Sequence, residues 1–191
     1  MITTDDGDLA ERLRRLRHQG MSVSDFARNR MSPSDFESYP EIGFNYRMTD
    51  IQAAIGRAQV AKIEEILKLR RAIADRYQAH LKDHPAFVGP YVPEGLEPNW
   101  QTFQVSIRPD ISLERKTIMD RLFERGIPTR RGVMASHLEA PYRHLNAELP
   151  VTERANTSTL QLPLHPTLSR EQQDRVLNAL DEVAVEACST N

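Results

Sequence analysis

The sequence is short of cysteine, of long apolar runs and of excess charge of either sign. Its 1 cysteine, Cys188, cannot form an internal disulfide, and there is no second sulfur ligand for a zinc site. The 25 Lys and Arg residues nearly balance the 27 Asp and Glu residues, which argues against nucleic acid or an anionic membrane as a partner. No apolar run could span a bilayer, and the N-terminus lacks the basic and apolar regions of a secretion signal. These absences predict a soluble cytoplasmic protein with no metal site.

Lysine is also scarce, because nearly all of the positive charge is arginine. Only four lysines occur: Lys62, Lys68, Lys82 and Lys116. Each falls on the charged face of a predicted helix beside Arg or Glu, and none lies in a Ser/Thr-rich strand and turn. The sequence contains no Gly-rich phosphate loop either. These lysines are therefore predicted to be ordinary surface residues.

The first part of the chain predicts elements that do not form a fold by themselves. Residues 1–4 are predicted to be a short strand whose sheet lies elsewhere. Asp8 is predicted to cap a helix that runs from Leu9 to about His18 and that Gly20 ends. Residues 21–43 show no periodicity, which is typical of a functional or disordered loop.

The central stretch has the clearest helical periodicity. Thr49 is predicted to cap a helix that begins at Asp50, and apolar residues recur at helical spacing as far as Leu81. Because this stretch is longer than one ordinary globular helix, we predict two helices with a bend near Ala61. Gly56 is predicted to allow the close approach of a neighbour.

The rest of the chain alternates strands and helices. In order, the predicted elements are a strand at 103–107, a helix capped by Ser112, a strand at 127–133, a short helix from Thr152, an extended segment at 160–164 and a last helix capped by Ser169. Phe123 is predicted to face inward from the first of these helices. The order β-α-β-(α)-β-α predicts a small open sheet with helices on it, and the chain is assigned to the α/β class.

A polar segment, Gly43-Phe-Asn-Tyr-Arg-Met-Thr-Asp50, leads into the central helix. The free N–H groups and the dipole of a helix N-terminus favour an anion such as phosphate. Asn45 can donate an amide N–H to a phosphate oxygen, and Arg47 can bind an anion through two parallel hydrogen bonds. The alternative, which is commoner among helices in general, is a capped helix that carries an arginine on its solvated face.

This segment, continued by Ile51-Gln-Ala-Ala54, resembles the signature of the DegT/DnrJ sugar aminotransferases, which are pyridoxal-phosphate (PLP) enzymes of fold type I. Further similar stretches cover nearly the whole chain: Met-Ile-Thr-Thr-Asp-Asp at 1–6, Leu-Arg-Arg-Leu-Arg at 13–17, Arg-Arg-Ala-Ile-Ala-Asp-Arg-Tyr at 70–77, Gly-Ile-Pro-Thr at 126–129 and Leu-Pro-Leu-His-Pro at 162–166. One departure is Gln19, where the family more often has His before the glycine.

The resemblance implies roles for five residues. Asn45 would reach across a dimer and donate a hydrogen bond to the phosphate of the partner's PLP, and Arg47 would lie near the same site and meet the nucleotide-sugar substrate. Arg130, Arg131 and His137 fall where family members place groups that face the substrate. Since Arg130 and Arg131 alternate on a predicted strand, at most one of them faces the site. His137 could equally be a polar residue at a helix start.

The resemblance also implies a domain order and a missing residue. Residues 1–60 correspond to the end of the large PLP-binding domain, 61–84 to a connecting helix and 85–191 to a small α/β C-terminal domain. The Schiff-base lysine and the acidic partner of the pyridine nitrogen are expected upstream of Met1. Since none of the lysines present matches that context, no catalytic residue is assigned, and the chain alone is expected to be inactive.

Two functions stay open. The first is the C-terminal portion of an aminotransferase of polysaccharide biosynthesis, with glutamate as the expected amino donor and a keto sugar nucleotide as acceptor. That portion would form a homodimer or be completed by an N-terminal half. The alternative is a non-catalytic protein of the same descent that dimerises through the helices of 49–82. DNA binding by the Arg-rich helix at 12–17 is disfavoured, because its arginines alternate with core leucines and acidic residues flank it.

Overall fold

The computed structural model describes residues 2–28, 30, 32, 34 and 36–188. The chain divides into two compact units, Met1–Ala61 (unit 1) and Lys62–Asn191 (unit 2). Helices occur in both units and a sheet in unit 2, which confirms the α/β class. The correspondence of 1–60, 61–84 and 85–191 to parts of a larger enzyme stays a prediction. None of the helices in the described residues combines the length and apolar character needed to cross a membrane.

The described part of unit 1 contains α1 (Gly7–Leu16), α2 (Asp25–Arg28) and α3 (Asp50–Val60). The predicted cap of α1 was wrong by two residues. Asp6 has the extended backbone of an N-cap and accepts the N–H of Leu9 at 3.0 Å, whereas Asp8 lies within the first turn. The strand predicted at 1–4, with its sheet elsewhere, stays a prediction: residues 2–4 pair with no strand of the described chain, and Met1 lies outside the described residues.

The start of α3 was predicted correctly. Thr49 accepts the N–H of Gln52 at 3.2 Å, and the Gln52 side chain accepts the N–H of Thr49 at 2.9 Å. This reciprocal capping box satisfies two N–H groups that have no partner within the helix. The predicted division of the long periodic stretch is confirmed as well, since α3 ends at Val60 and the next helix begins at Ile63.

Unit 2 is built on a four-stranded sheet with the order β1-β2-β4-β3 and antiparallel pairing throughout. The strands are β1 (Phe87–Val88), β2 (Phe103–Ile107), β3 (Arg130–Arg131) and β4 (Thr159–Leu162). Alternation along β2 and β4 places four buried side chains on one face: Phe103, Val105, Leu160 and Leu162. Strands β2 and β4 match predicted segments, whereas β1 was not predicted.

The helices of unit 2 are α4 (Ile63–Leu81), α5 (Arg115–Glu124), α6 (Pro150–Ser158) and α7 (Arg170–Cys188), with 3-10 turns at Ser136–Leu138 and Ala140–Leu145. Ser169 accepts the N–H of Gln172 at 3.2 Å, which confirms the predicted cap of α7. The predicted inner face of α7 is also buried, at Val176, Leu177, Leu180, Val183 and Ala184.

Three predictions about unit 2 were wrong. Helix α5 begins after Glu114 rather than Ser112, and Phe123 is exposed because Ile118 and Leu122 hold the buried face. The strand predicted over 127–133 shortens to β3. A Cβ atom at Gly132 would lie 2.2 Å from Thr159 Oγ1, so the backbone after β3 packs directly on that side chain. The N–H of Gly132 still donates to the carbonyl of Thr159 at 3.1 Å, but that of Val133 donates to Thr159 Oγ1 at 3.1 Å instead of continuing the ladder.

Candidate functional site

The segment that carries Asn45 is fixed to the C-terminal end of α1. An isolated antiparallel bridge joins His18 to Asn45, and the flanking backbone N–H groups donate at 2.6 Å (Phe44 to Leu16) and 2.9 Å (Tyr46 to Arg17). Gln19 donates in return to the carbonyl of Phe44 at 2.9 Å. These bonds fix the backbone on both sides of Asn45 and therefore fix the direction of its side chain.

Glycine makes this close approach possible. Gly20 has a φ of +77°, and a Cβ atom there would lie 1.9 Å from the carbonyl oxygen of Glu41. A Cβ atom at Gly43 would lie 2.1 Å from the backbone nitrogen of Gly20. Both positions therefore exclude a side chain, and Gly20 also needs the left-handed conformation that glycine adopts readily.

Side chains alternate along the extended segment. The rings of Phe44 and Tyr46 stack with their centroids 5.2 Å apart. Asn45 and Arg47 alternate with these two aromatic residues along the sequence. Arg47 Nε donates to Asn45 Oδ1 at 3.4 Å. Because the carbonyl oxygen of Asn45 faces the guanidinium, its NH₂ group is the part that it presents to an anion. The structure thus brings the two predicted residues of unit 1 together.

An arginine-lined cleft of about 350 Å³ lies in unit 1 beside this segment. Its walls include Arg14, Arg15, Arg17 and His18 together with Arg47. Sequence reasoning did not identify this cleft, although the spacing of Arg14 and Arg17 places them on one face of α1.

Part of the positive charge near the cleft is compensated. Arg15 forms an ion pair with Glu41 at 3.2 Å, and Arg12 forms one with the same carboxylate at 3.0 Å. The hydrogen bond from Arg12 is the main reason that the pKa of Glu41 is lowered, and Arg15 acts in the same direction. Two arginines of α1 are thus paired with one carboxylate, which reduces the net positive charge of this helix.

The predicted substrate-facing arginines lie on an edge strand of unit 2. Arg130 pairs with Gln161 and Arg131 with Leu160, so the two side chains leave opposite faces of the sheet. Both are exposed. Arg131 lies 3.8 Å from Glu139, whereas Arg130 forms no ion pair with any described residue.

His137 sits in a 3-10 turn and is held by an acid. Its Nε2 lies 3.0 Å from Glu153 Oε1, and its side chain is only 7% exposed. Glu153 also accepts the N–H of Leu149 at 3.2 Å, and the bond to His137 is the main cause of its lowered pKa. This geometry favours the second of the two interpretations of His137, a polar residue at a helix start.

The four lysines are all exposed and belong to unit 2. Lys116 pairs with Asp120 at 2.8 Å one helical turn away, and this bond is the main reason that its pKa is raised. A raised pKa keeps the amine protonated, which is the opposite of what a nucleophilic lysine requires. Lys62, Lys68 and Lys82 lie along α4 or at its ends.

Comparison with known proteins places these features in a family. The sequence model of the DegT/DnrJ/EryC1/StrS aminotransferase family matches residues 1–181. The chain is 35% identical over 194 aligned residues to the GDP-perosamine synthase of Caulobacter vibrioides, and the match covers 97% of this chain and 48% of the relative. The chain therefore spans about half the length of that curated relative.

Solved structures agree with this assignment. The aminotransferase TlmJ from Streptoalloteichus hindustanus is 28% identical with a TM-score of 0.79, and the match covers 95% of this chain and 46% of TlmJ. DesV from S. venezuelae, solved with a ketimine intermediate, is 29% identical with a TM-score of 0.79, and the match covers 95% of this chain and 46% of DesV. An aminotransferase from Psychrobacter cryohalolentis, 21% identical, supports the fold with a TM-score of 0.85 over 97% of this chain and 51% of that one.

Proposed function

Because the chain belongs to the DegT/DnrJ/EryC1/StrS aminotransferase family, we propose that it is the C-terminal portion of a PLP-dependent aminotransferase acting on keto sugar nucleotides. Glutamate is the proposed amino donor, the cytoplasm the proposed location, and polysaccharide biosynthesis the proposed context. In this proposal residues 1–60 belong to the PLP-binding domain, 61–84 form the connecting helix and 85–191 form the small domain. The observation that carries the proposal is the fixed placement of Asn45 and Arg47 ahead of the capped helix α3.

The proposed role of Asn45 is to bind the phosphate of PLP in a partner subunit. The donor set fits a phosphate, because the NH₂ group of Asn45 and the guanidinium of Arg47 are neighbours and both side chains are exposed. When bound, PLP supplies an electron sink for the carbon that gains or loses the amino group. The part assigned to this chain is binding and orientation of that cofactor.

Arg47 of unit 1 is proposed to bind an anionic group of a nucleotide-sugar substrate beside Asn45. Of Arg130 and Arg131, which leave opposite faces of the sheet edge in unit 2, only one is proposed to face the substrate. Arg130 is the proposed one, because Arg131 lies 3.8 Å from Glu139 whereas Arg130 forms no ion pair with any described residue. His137 is proposed to have no direct contact with the substrate; its hydrogen bond to Glu153 would fix the turn that lies near the substrate.

The Schiff-base lysine is proposed to come from an N-terminal half that completes these 191 residues. Unit 1, which carries Asn45, contains no lysine in its sequence, and the lysines of unit 2 are exposed residues of α4, its ends and α5. This chain alone is therefore proposed to be inactive. A lysine-bearing N-terminal half would complete it, either as a separate protein or as part of a longer one.

The decisive test is reconstitution with the polypeptide encoded immediately upstream. We expect a lysine-bearing product that co-purifies with this chain, binds PLP and releases 2-oxoglutarate from glutamate when a keto sugar nucleotide is supplied. In that assembly Asn45→Ala should weaken PLP binding by about 1.5–3 kcal/mol, or roughly 10- to 100-fold in Kd. Asn178→Ala, an exposed position on α7, is the matched control and should leave PLP binding unchanged.

A second candidate function is a non-catalytic dimerisation protein. Its support is α3, which has no buried residue in the described chain and exposes Ile51 and Ile55 on one face. If no lysine-bearing half is encoded upstream and sedimentation shows a dimer that Ile51→Glu disrupts, this second function replaces the first. Homodimerisation through α3 is a proposal under either function.

A further inference from the structure

A buried histidine joins three elements of unit 2 at the end of α4. His84 is only 4% exposed and lies between α4 and β1. Its Nε2 lies 3.2 Å from Asp181 Oδ1 on α7, and His80 Nε2 in the last turn of α4 lies 2.8 Å from the same oxygen. The carbonyl of His84 accepts Arg108 Nε at 2.8 Å. The aminotransferase proposal above assigns no role to this cluster.

The other ring nitrogen of His84 closes the turn into β1. His84 Nδ1 accepts the backbone N–H of Ala86 at 3.2 Å and that of Phe87 at 3.1 Å. Both donors belong to residues that are fully buried. A nitrogen that accepts two N–H groups carries no proton, so the proton of the neutral ring sits on Nε2 and points to Asp181.

This tautomer decides what the cluster can do. His80, His84 and Asp181 lie close enough together to surround a metal ion. However, a metal on Nε2 of His84 would displace the proton to Nδ1, where it would face two N–H donors. The geometry therefore disfavours a metal centre and favours a hydrogen-bonded junction that requires a neutral ring.

We propose that His84 is an acid-sensitive latch: its neutral ring closes the turn between α4 and β1 and binds α7, and its protonation opens that turn. Protonation places a hydrogen on Nδ1, so the N–H groups of Ala86 and Phe87 lose their acceptor inside the core. Buried N–H groups without an acceptor are costly, and the start of β1 must then separate from α4 to reach water.

Three groups that titrate or carry charge face His84, and their net effect agrees with the latch. Burial is the main influence and lowers the pKa of His84, while His80 from α4 and Arg108 beyond β2 act in the same direction. Asp181 from α7 opposes them. Because the folded pKa lies below the unfolded value of 6.5, the unfolded chain binds the proton more readily. Stability is therefore complete above that value and falls as the pH drops towards the folded pKa.

The ring nitrogens can be tested directly in the full chain. Nitrogen-15 NMR of His84 at about pH 7.5, above the ordinary His pKa of about 6.5, should show an unprotonated Nδ1 and a protonated Nε2. A protonated Nδ1 at this pH would overturn the proposal. This measurement needs no variant, so it does not depend on whether a substitution folds.

A variant separates titration from simple packing. His84→Asn keeps an acceptor close to the position of Nδ1 but cannot titrate in this range. Urea unfolding can be followed by the fluorescence of Trp100, which is the single tryptophan. The unsubstituted chain should unfold at a lower urea concentration at about pH 5.5 than at about pH 7.5. We expect His84→Asn to reduce that difference and the exposed control His144→Asn to keep it. An unchanged difference in His84→Asn would contradict the latch.

Discussion

Replacing Gly20 with alanine should detach the segment that carries Asn45 from α1. Alanine in the left-handed conformation costs about 1–2 kcal/mol, and Gly20 has a φ of +77°. The added Cβ atom would also lie 1.9 Å from the carbonyl oxygen of Glu41, whereas real Cβ contacts begin near 3.0 Å. The backbone at Glu41 must therefore move by about 1 Å.

That movement should break the hydrogen bonds that fix Asn45. The bonds of Phe44 to Leu16, Tyr46 to Arg17 and Gln19 to Phe44 are each worth about 0.5–1.5 kcal/mol. Their combined loss, roughly 1.5–4.5 kcal/mol, corresponds to a fall of at least about tenfold in amide protection. Hydrogen exchange of the Phe44 and Tyr46 amides, read by NMR, measures this directly.

Two glycines provide controls for this experiment. Gly126 has a φ of +76°, but an added Cβ atom would contact only the guanidinium end of Arg175, at 3.2 Å. Gly126→Ala should therefore cost only the free energy of placing alanine in the left-handed conformation. Gly56 lies in α3 with open space around it, so Gly56→Ala should not disturb the segment. If Gly20→Ala leaves the protection of Phe44 and Tyr46 unchanged, the account of how Asn45 is positioned is refuted.

Three further substitutions test separate parts of the structure. Thr49→Ala removes the capping box and should destabilise α3 by about 1 kcal/mol, measured by hydrogen exchange at its first turn; normal protection there would contradict the cap. Tyr77→Phe should lower the free energy of unfolding, measured in urea, by about 1–3 kcal/mol. The Tyr77 hydroxyl donates to the carbonyl of Pro163 at 2.9 Å, and the burial of this phenol also raises its pKa. Gly56→Ala should favour α3 by roughly 0.5–1 kcal/mol yet weaken any dimer that packs on α3, and sedimentation that shows unchanged association would exclude close packing at this glycine.

Local sequence patterns predicted the elements whose causes are local. The cap at Thr49 depends on a side chain three residues away, and the alternation of Arg130 and Arg131 follows from strand geometry alone. The cap of α1 was misplaced because Asp6 and Asp8 both suit that role and only the backbone chooses between them. Phe123 was misassigned because its helix already had a complete inner face at Ile118 and Leu122.

Features that join distant parts of the chain had no local pattern to reveal them. The cleft in unit 1 depends on the return of Arg47 to α1, across a segment without periodicity. The junction at His84 depends on Asp181, 97 residues further along the chain. Strand β1 has only two residues, which is too few for an alternation to be detected.

The central claim is that this chain positions a cofactor but does not hold it covalently. Incubation of the full chain with PLP, reduction with borohydride and peptide mapping by mass spectrometry tests it most directly. The account predicts no saturable, stoichiometric modification at Lys62, Lys68, Lys82 or Lys116. Complete and selective labelling of any one of these lysines would contradict it.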